Sequence, residues 1–158
     1  MIALVDLASY FDRRDIDKSY DYASKAYSTS MRVQNKESKY AAALSLGGAL
    51  SNFNVSDSAI YYYEIALAIS RQQKSILNEA RALNNLGNQY FVMANYLKCL
   101  TYYHSSVNLA ENLKGAEGIS NTYNNMGLVY VELKNYKEAL KYYNKAYERA
   151  VELKKEEI

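Results

Sequence analysis

The sequence contains one cysteine and one histidine, Cys99 and His104, the residue types most often used for nucleophilic catalysis and transition-metal binding. They lie five residues apart on one predicted helix, and this spacing directs their side chains to different faces of the helix. One histidine cannot build a metal site without a cluster of carboxylates, and the sequence shows no such cluster. The segment from Gly115 to Gly118 lacks the rest of a phosphate loop. We therefore predict no catalytic residue, no metal and no cofactor; a small enzyme or metal protein is the remote alternative.

A second chemistry, hydrogen bonding by neutral amides, is concentrated in two helical segments. An asparagine side chain offers both donors and an acceptor, so it can pair with the N–H and C=O groups of an extended peptide of any sequence. Asparagine is also a poor helix former, so six of them on two helices require a reason. Peptide binding and hydrogen bonds between neighbouring helices both fit, and the two uses can coexist. The predicted peptide-binding residues are Arg81, Asn84, Asn85, Asn88, Asn121, Asn124 and Asn125.

Composition and charge exclude several other functions. The 158 residues carry 19 basic and 17 acidic side chains, a formal net charge of +2, which is too small for the footprint of a nucleic-acid or anionic-membrane binder. The longest uncharged run, residues 40–56, is interrupted by polar residues, so no membrane insertion is expected. The absence of proline favours uninterrupted helices.

The elements that position these residues repeat every 40 residues, clearly three times and more weakly once near the start. The apolar spacing in each half of a repeat is helical, and Asn135 with Glu138 forms a predicted helix cap between the halves. Each repeat is therefore a predicted helical hairpin. Three structural columns recur, a glycine, a small residue and a tyrosine: Gly47, Gly87 and Gly127; Ala59, Cys99 and Ala139; Tyr63, Tyr103 and Tyr143.

Glycine inside a helix costs about 1 kcal/mol relative to alanine, so the glycine column needs a structural reason. We expect close approach of the partner helix, with the small residue facing the glycine and the tyrosine filling the space one turn on. Glycine also occurs in the connection between two repeats that follows Asn112, at Gly115 and Gly118, where we expect a helix to end.

The columns resemble the tetratricopeptide repeat family, in which L-G-x2-Y is followed by A-x3-F. Here Leu86-Gly87-x2-Tyr90 is followed by Cys99-x3-Tyr103, and the next repeat has the same form. The resemblance is clear over about 38–154. It departs from the family in its 40-residue period, its lack of the terminal proline and its lack of the family's tryptophan. The longer period resembles that of the repeats in kinesin light chains, in polarity adaptors that bind several peptide partners, in bacterial peptide-pheromone receptors and in the sensory regions of some bacterial two-component proteins. The sequences at residues 82–88 and 114–119 look most like the last group.

This resemblance implies an all-α fold, a right-handed α-solenoid of about four helical hairpins, or about eight helices. It implies a single domain over 1–158, with repeats at about 1–37, 38–77, 78–117 and 118–154. The first helix of each hairpin would line a concave wall, and the asparagines would lie on it. Asn85 and Asn125 match the asparagine ladder by which some family members hold peptide backbones, whereas Ser45 departs from it.

The resemblance further implies a module that binds a protein or an extended peptide, in the sensory or adaptor region of a larger bacterial signalling protein. The alternative is a self-contained cytoplasmic scaffold. The compartment stays open, cytoplasmic for a scaffold and periplasmic for part of a sensor kinase. Most tyrosines are expected to pack hairpins together, with Tyr61 exposed. Because Leu140, Tyr147 and Val151 would face the next hairpin, we expect self-association through the C-terminal helix or its cover by further chain.

Overall fold

The computed structural model describes residues 1–33, 35–111, 113 and 118–156, with side chains as far as residue 153. This part of the chain is helical, contains no strand, and confirms the predicted all-α fold of helical hairpins. The helices are α1 (Ile2–Phe11), α2 (Ile16–Ser30), α3 (Lys36–Asn52), α4 (Ser56–Gln73), α5 (Ile76–Val92), α6 (Tyr96–Ala110), α7 (Gly118–Glu132) and α8 (Tyr136–Glu156).

The last three hairpins turn in the same way. Their turns contain Asn54, Ala94 and Lys134, which stand 40 residues apart and all have φ between 54° and 58°. The amide that follows each of them bonds back to a carbonyl five residues earlier, as in the bond from Asn95 to Tyr90 at 2.8 Å. This is the Schellman arrangement, which satisfies carbonyls at a helix end. The predicted cap at Asn135 is present, since its Oδ1 accepts the amide of Glu138 at 3.3 Å.

The chain divides into two compact units, Met1–Ser75 and Ile76–Ile158. In the first unit α2 packs against α1 and α3, and α3 packs against α4. In the second unit α6 packs against both α5 and α7, α7 packs against α8, and α5 also contacts α7. The predicted stop at residues 112–115 lies outside the described residues apart from Leu113, whereas Gly118 begins α7 instead of ending a helix.

The glycine column faces the tyrosine column. A Cβ atom at Gly127 would lie 2.5 Å from Cε1 of Tyr143, and one at Gly47 would lie 2.7 Å from Cε1 of Tyr63. At Gly87 the ring of Tyr103 is equally close to the position of a Cβ atom. The rings, and not the small residues, are therefore the atoms nearest the glycines, because each ring extends back across its own hairpin. Ala59, Cys99 and Ala139 are buried.

Further tyrosines pack within hairpins. The rings of Tyr90 and Tyr102 stack with centroids 5.3 Å apart and an interplanar angle of 6°, and Tyr130 with Tyr142 repeats both values. These pairs account for four of the 18 tyrosines, and aromatic stacking adds to the free energy of burial. Tyr61 is 59% exposed, as predicted.

Candidate functional site

The predicted peptide-binding residues all lie in the second unit, on α5 and α7. We call the surface that they form the amide face: Arg81, Asn84, Asn85, Asn88, Asn121, Asn124 and Asn125. Arg81, Asn121 and Asn124 are exposed, and the other four are half-buried. The two helices are in contact, so side chains spaced along each of them meet their counterparts on the other.

Two hydrogen bonds cross the amide face from one helix to the other. The Nδ2 of Asn125 donates to Oδ1 of Asn88 at 3.0 Å. The hydroxyl of Thr122, a buried residue, shares its one proton between Oδ1 of Asn84 and the carbonyl oxygen of Gly118, each at 3.1 Å. These three asparagines therefore join neighbouring repeats.

Asn88 also receives a bond from the tyrosine that faces the glycine column. The hydroxyl of Tyr103 donates to Oδ1 of Asn88 at 2.7 Å, and the Tyr103 residue is only 1% exposed. Burial raises the pKa of this phenol above its usual value, so it remains a donor throughout the physiological range. The amide face is thus fixed to the interior of the α5/α6 hairpin.

Three asparagines of the amide face are uncommitted. Within the part of the chain that the structure describes, the side chains of Asn85, Asn121 and Asn124 make no hydrogen bond, and Arg81 makes no ion pair. A solvated amide loses little when it exchanges water for a ligand, whereas the Oδ1 of Asn88 and one N–H of Asn125 are already bonded within the protein. Asn85, Asn121 and Asn124 are therefore the amides whose donors and acceptor are all available to a ligand.

Two clefts lie along the amide face. The larger cleft, of about 480 Å³, is lined by Arg81, Asn84, Asn121 and Thr122 together with apolar residues that include Leu77 and Ile119. The smaller cleft, of about 220 Å³, is lined by Asn88, Phe91, Val92, Tyr103, Asn125 and Leu128. Sequence reasoning missed Thr122, Phe91 and Val92, because a threonine or an apolar residue inside an amphipathic helix carries no signal of its own.

The two residues considered first for catalysis lie elsewhere. Cys99 is fully buried in the core, and burial raises the pKa of its thiol to about 11, which keeps it protonated at neutral pH. His104 is exposed, with its ring 6.2 Å from that of Tyr142; partial burial and then the charge of Lys145 lower its pKa. Among the described residues, no group of three or more His, Cys, Asp or Glu side chains is placed to hold a metal ion. No helix in the same residues is long and apolar enough to cross a membrane.

Solved structures with this arrangement of helices provide a comparison. A Rap protein complexed with competence and sporulation factor is 18% identical over 96% of this chain, with a TM-score of 0.88. The Rap conjugation gene regulator of the plasmid pLS20, in complex with the Phr* peptide, is 17% identical over 92%, with a TM-score of 0.80. The chain spans 43% and 41% of the lengths of these two proteins.

A third structure is named as a repeat domain. The TPR domain of Arabidopsis FLU is 21% identical over 73% of this chain and 98% of its own length, with a TM-score of 0.67. At these identities the likeness shows a shared fold. No curated protein matches the sequence.

The family comparison agrees with the repeat columns. The tetratricopeptide repeat family model matches residues 78–150, a range that runs from α5 into α8 and holds the whole amide face. The matched range contains the glycine and tyrosine columns of the last two repeats. Residues 78–150 therefore match the tetratricopeptide repeat family, and the structure that contains them has the fold of tetratricopeptide repeat proteins.

Proposed function

We propose that the amide face binds an extended segment of polypeptide, and that the protein is an interaction module in the sensory or adaptor region of a larger bacterial signalling protein. The observation that carries the proposal is the position of Asn85, Asn121 and Asn124. Their amides are uncommitted among the described residues and lie on the two helices that carry both clefts. The face offers donors and acceptors to a backbone, and space to its side chains.

The energetics of this face favour weak, broad recognition. Each amide contact to a peptide backbone contributes about 0.5 to 1.5 kcal/mol, because the same groups bond to water in the free state. Three such contacts alone cannot offset the entropy lost when a flexible peptide is ordered. The clefts must therefore supply the remaining affinity by burying side chains of the ligand.

The comparisons support a peptide as the ligand. Two proteins of similar fold are named as complexes, one with competence and sporulation factor and one with the Phr* peptide. The alternative is a self-contained cytoplasmic scaffold, which can also bind extended segments of its partners. A kinase, DNA-binding or membrane-spanning sequence in the same gene would favour the sensory or adaptor function over the scaffold.

Nuclear magnetic resonance can locate the bound peptide. A peptide selected on the immobilised chain from a displayed random library should shift the backbone amide signals of α5 and α7 when it is added to the ¹⁵N-labelled protein. The side-chain NH₂ signals of Asn85, Asn121 and Asn124 should shift as well. Asn144, an exposed asparagine on α8, is the matched control and should not respond. Shifts limited to α8 would contradict the proposed function.

The outer face of α8 supports a second interaction. Leu140 is 61% exposed and Tyr147 is 71% exposed, whereas Val107, 40 residues before Tyr147, is 5% exposed. Val107 belongs to the core that includes Ile119 and Val129 of α7, so its repeat position is one that a following helix covers. We propose that a second copy of the chain covers this face of α8.

Sedimentation tests this self-association. The average mass should rise with protein concentration, and Leu140→Ser together with Tyr147→Ser should restore a monomer, because the change removes the apolar area that a second copy would bury. Tyr61→Ser changes an exposed tyrosine on α4 and should leave the association intact. A wild-type chain that stays monomeric at high concentration would rule the association out.

A further inference from the structure

The larger cleft contains a cation without a counter-charge. Arg81 is exposed and makes no ion pair within the described residues, and the described residues that line the cleft include no Asp or Glu. An arginine is always charged, and its planar guanidinium presents several donors in a fixed geometry that matches a carboxylate. The electrostatic character of the cleft is therefore positive, although the chain as a whole is nearly neutral.

The neighbouring polar groups add donors. The Oδ1 of Asn84 already accepts the hydroxyl of Thr122, so the NH₂ group of Asn84 is the part of this amide left for a ligand. The hydroxyl of Ser106 is committed as a donor to the carbonyl of Ala80 at 2.7 Å. Asn121 is uncommitted and exposed at the same cleft. Arg81, Asn84 and Asn121 thus present N–H donors to the same space, which suits a ligand that accepts hydrogen bonds and carries negative charge.

The smaller cleft has the opposite character. Its apolar lining comes from Phe91, Val92 and Leu128, of which Val92 is 58% exposed and Leu128 is 47% exposed. Its polar lining residues, Asn88, Asn125 and Tyr103, are bonded to one another through Oδ1 of Asn88. An apolar side chain that enters this cleft would bury the exposed parts of Val92 and Leu128 without breaking those bonds.

The two clefts are separated along the helices. On α5 the larger cleft is lined by residues between 77 and 84 and the smaller one by residues between 88 and 92; on α7 the corresponding residues lie between 118 and 122 and between 125 and 128. At the rise of an α-helix, these intervals place the cleft centres about 10 to 15 Å apart. An extended peptide covers that distance in about three or four residues.

We infer that the ligand of the amide face is an extended peptide with an acidic side chain in the larger cleft and an apolar side chain, about three or four residues away, in the smaller cleft. This inference rests on the proposed function and names its ligand class. The inference assigns the negative charge to an internal acidic side chain, and a peptide with a free carboxyl terminus is the control that tests this assignment. Asn85 and Asn124 pair with the backbone between the two side chains.

Defined peptides test the inference on the whole chain. The probes are acetylated and amidated nonapeptides of Ser, Thr and Ala that carry one Glu and one Leu at separations of two to six residues. Their matched controls replace Glu by Gln or Leu by Ser. A further control has Gln in place of Glu and a free carboxyl terminus. Chemical-shift titration of the ¹⁵N-labelled protein gives the dissociation constants at low and high salt.

We expect the Glu peptide with the best separation to bind about fivefold more tightly than its Gln partner at low salt, as for a partly exposed charge pair. Salt should reduce this preference. Arg81→Gln should bring the Glu-to-Gln ratio close to one, whereas Lys137→Gln, which removes the same charge from α8, should leave the ratio unchanged. The wild type should bind the Leu peptide more tightly than its Ser control. If the protein variant Leu128→Ser no longer shows this difference, the apolar side chain of the peptide lies in the smaller cleft.

The outcomes distinguish a failure of the inference from a failure of the proposed function. If peptides shift the amide-face signals but show no Glu preference, or a preference that survives Arg81→Gln, the inference is wrong and the proposed function stands. Tightest binding by the control with the free carboxyl terminus would also overturn it. If none of the defined peptides shifts any signal at millimolar concentration, the inference fails, and if the library-selected peptide also leaves the signals unchanged, the proposed function fails with it.

Discussion

Replacing Gly87 by alanine should destabilise the protein by about 1 to 3 kcal/mol, the usual cost of overpacking a core. In an open helix the same change would stabilise by up to about 1 kcal/mol. Here the new Cβ would collide with Cε1 and Cδ1 of Tyr103. That ring is buried, and its hydroxyl is bonded to Asn88, so it cannot turn away without losing the bond. The free energy of unfolding in urea measures the effect.

The helix α3 supplies a matched pair of controls. Gly47→Ala should destabilise, because its Cβ would meet the ring of Tyr63 at 2.7 Å. Gly48→Ala should be neutral or stabilise by up to about 1 kcal/mol, since the nearest atom to its Cβ is the hydroxyl oxygen of Tyr63 at 3.8 Å. An unfolding free energy of Gly87→Ala equal to that of the wild type would show that the glycine column does not hold the helices close together.

A double variant identifies the atoms responsible. Tyr103→Leu removes the ring, so Gly87→Ala should cost less in that background than in the wild type, and the difference is the coupling between the two positions. If the two changes in unfolding free energy simply add in the double variant, the alanine at position 87 does not contact the ring of Tyr103.

The hairpins could be predicted from the sequence because their signals are local and repeat. The 40-residue columns and the helical apolar spacing identify the hairpins, and the cap at Asn135 marks where α8 begins. The packing partner of each glycine could not be predicted in the same way. A glycine inside a helix indicates that another group packs close to the backbone, but the sequence does not identify that group. The ring of Tyr103 contacts Gly87 because of the way α5 and α6 cross.

The hairpin turns also lack the expected sequence signal. Glycine is the usual residue at a left-handed position after a helix, yet these positions hold Asn54, Ala94 and Lys134. A left-handed conformation costs a residue such as Ala94 about 1 to 2 kcal/mol. The protein tolerates this cost because the turn satisfies carbonyls at the end of the helix.

The sequence identifies the asparagines as a group, but it does not distinguish those that bond to another helix from those that make no hydrogen bond. Asn125 was predicted to be a ladder residue, like Asn85. In the structure Asn125 bonds to Asn88, and Asn84 to Thr122, which is the helix-to-helix use that the sequence also allowed beside peptide binding. What separates these residues from Asn85 is the side chain that each one meets on another helix, and a periodic pattern within one helix does not contain that information.

The largest functional effect should follow from changing the uncommitted amides. The triple variant Asn85→Ala, Asn121→Ala and Asn124→Ala should weaken binding of the library-selected peptide about tenfold or more, since three contacts of modest free energy to the peptide are lost. Its stability should equal or exceed that of the wild type, because alanine is the better helix former and no bond within the described residues is removed.

Asn88→Ala is the contrasting change at a committed asparagine. It leaves the buried hydroxyl of Tyr103 and the amide of Asn125 without their acceptor, which should lower the free energy of unfolding by about 1 to 3 kcal/mol. A loss of peptide affinity in this variant would therefore report a disturbed helix packing, whereas a loss in the triple variant reports the ligand contacts themselves.

The most direct test of the amide face is the affinity of one selected peptide for the wild type and for the triple variant, measured by isothermal titration on samples of known unfolding free energy. The account predicts affinity that is lower by about tenfold or more, with stability unchanged or raised. A triple variant that binds the peptide as tightly as the wild type would show that the polypeptide is not held by Asn85, Asn121 and Asn124. A triple variant that unfolds would show that these amides stabilise the fold.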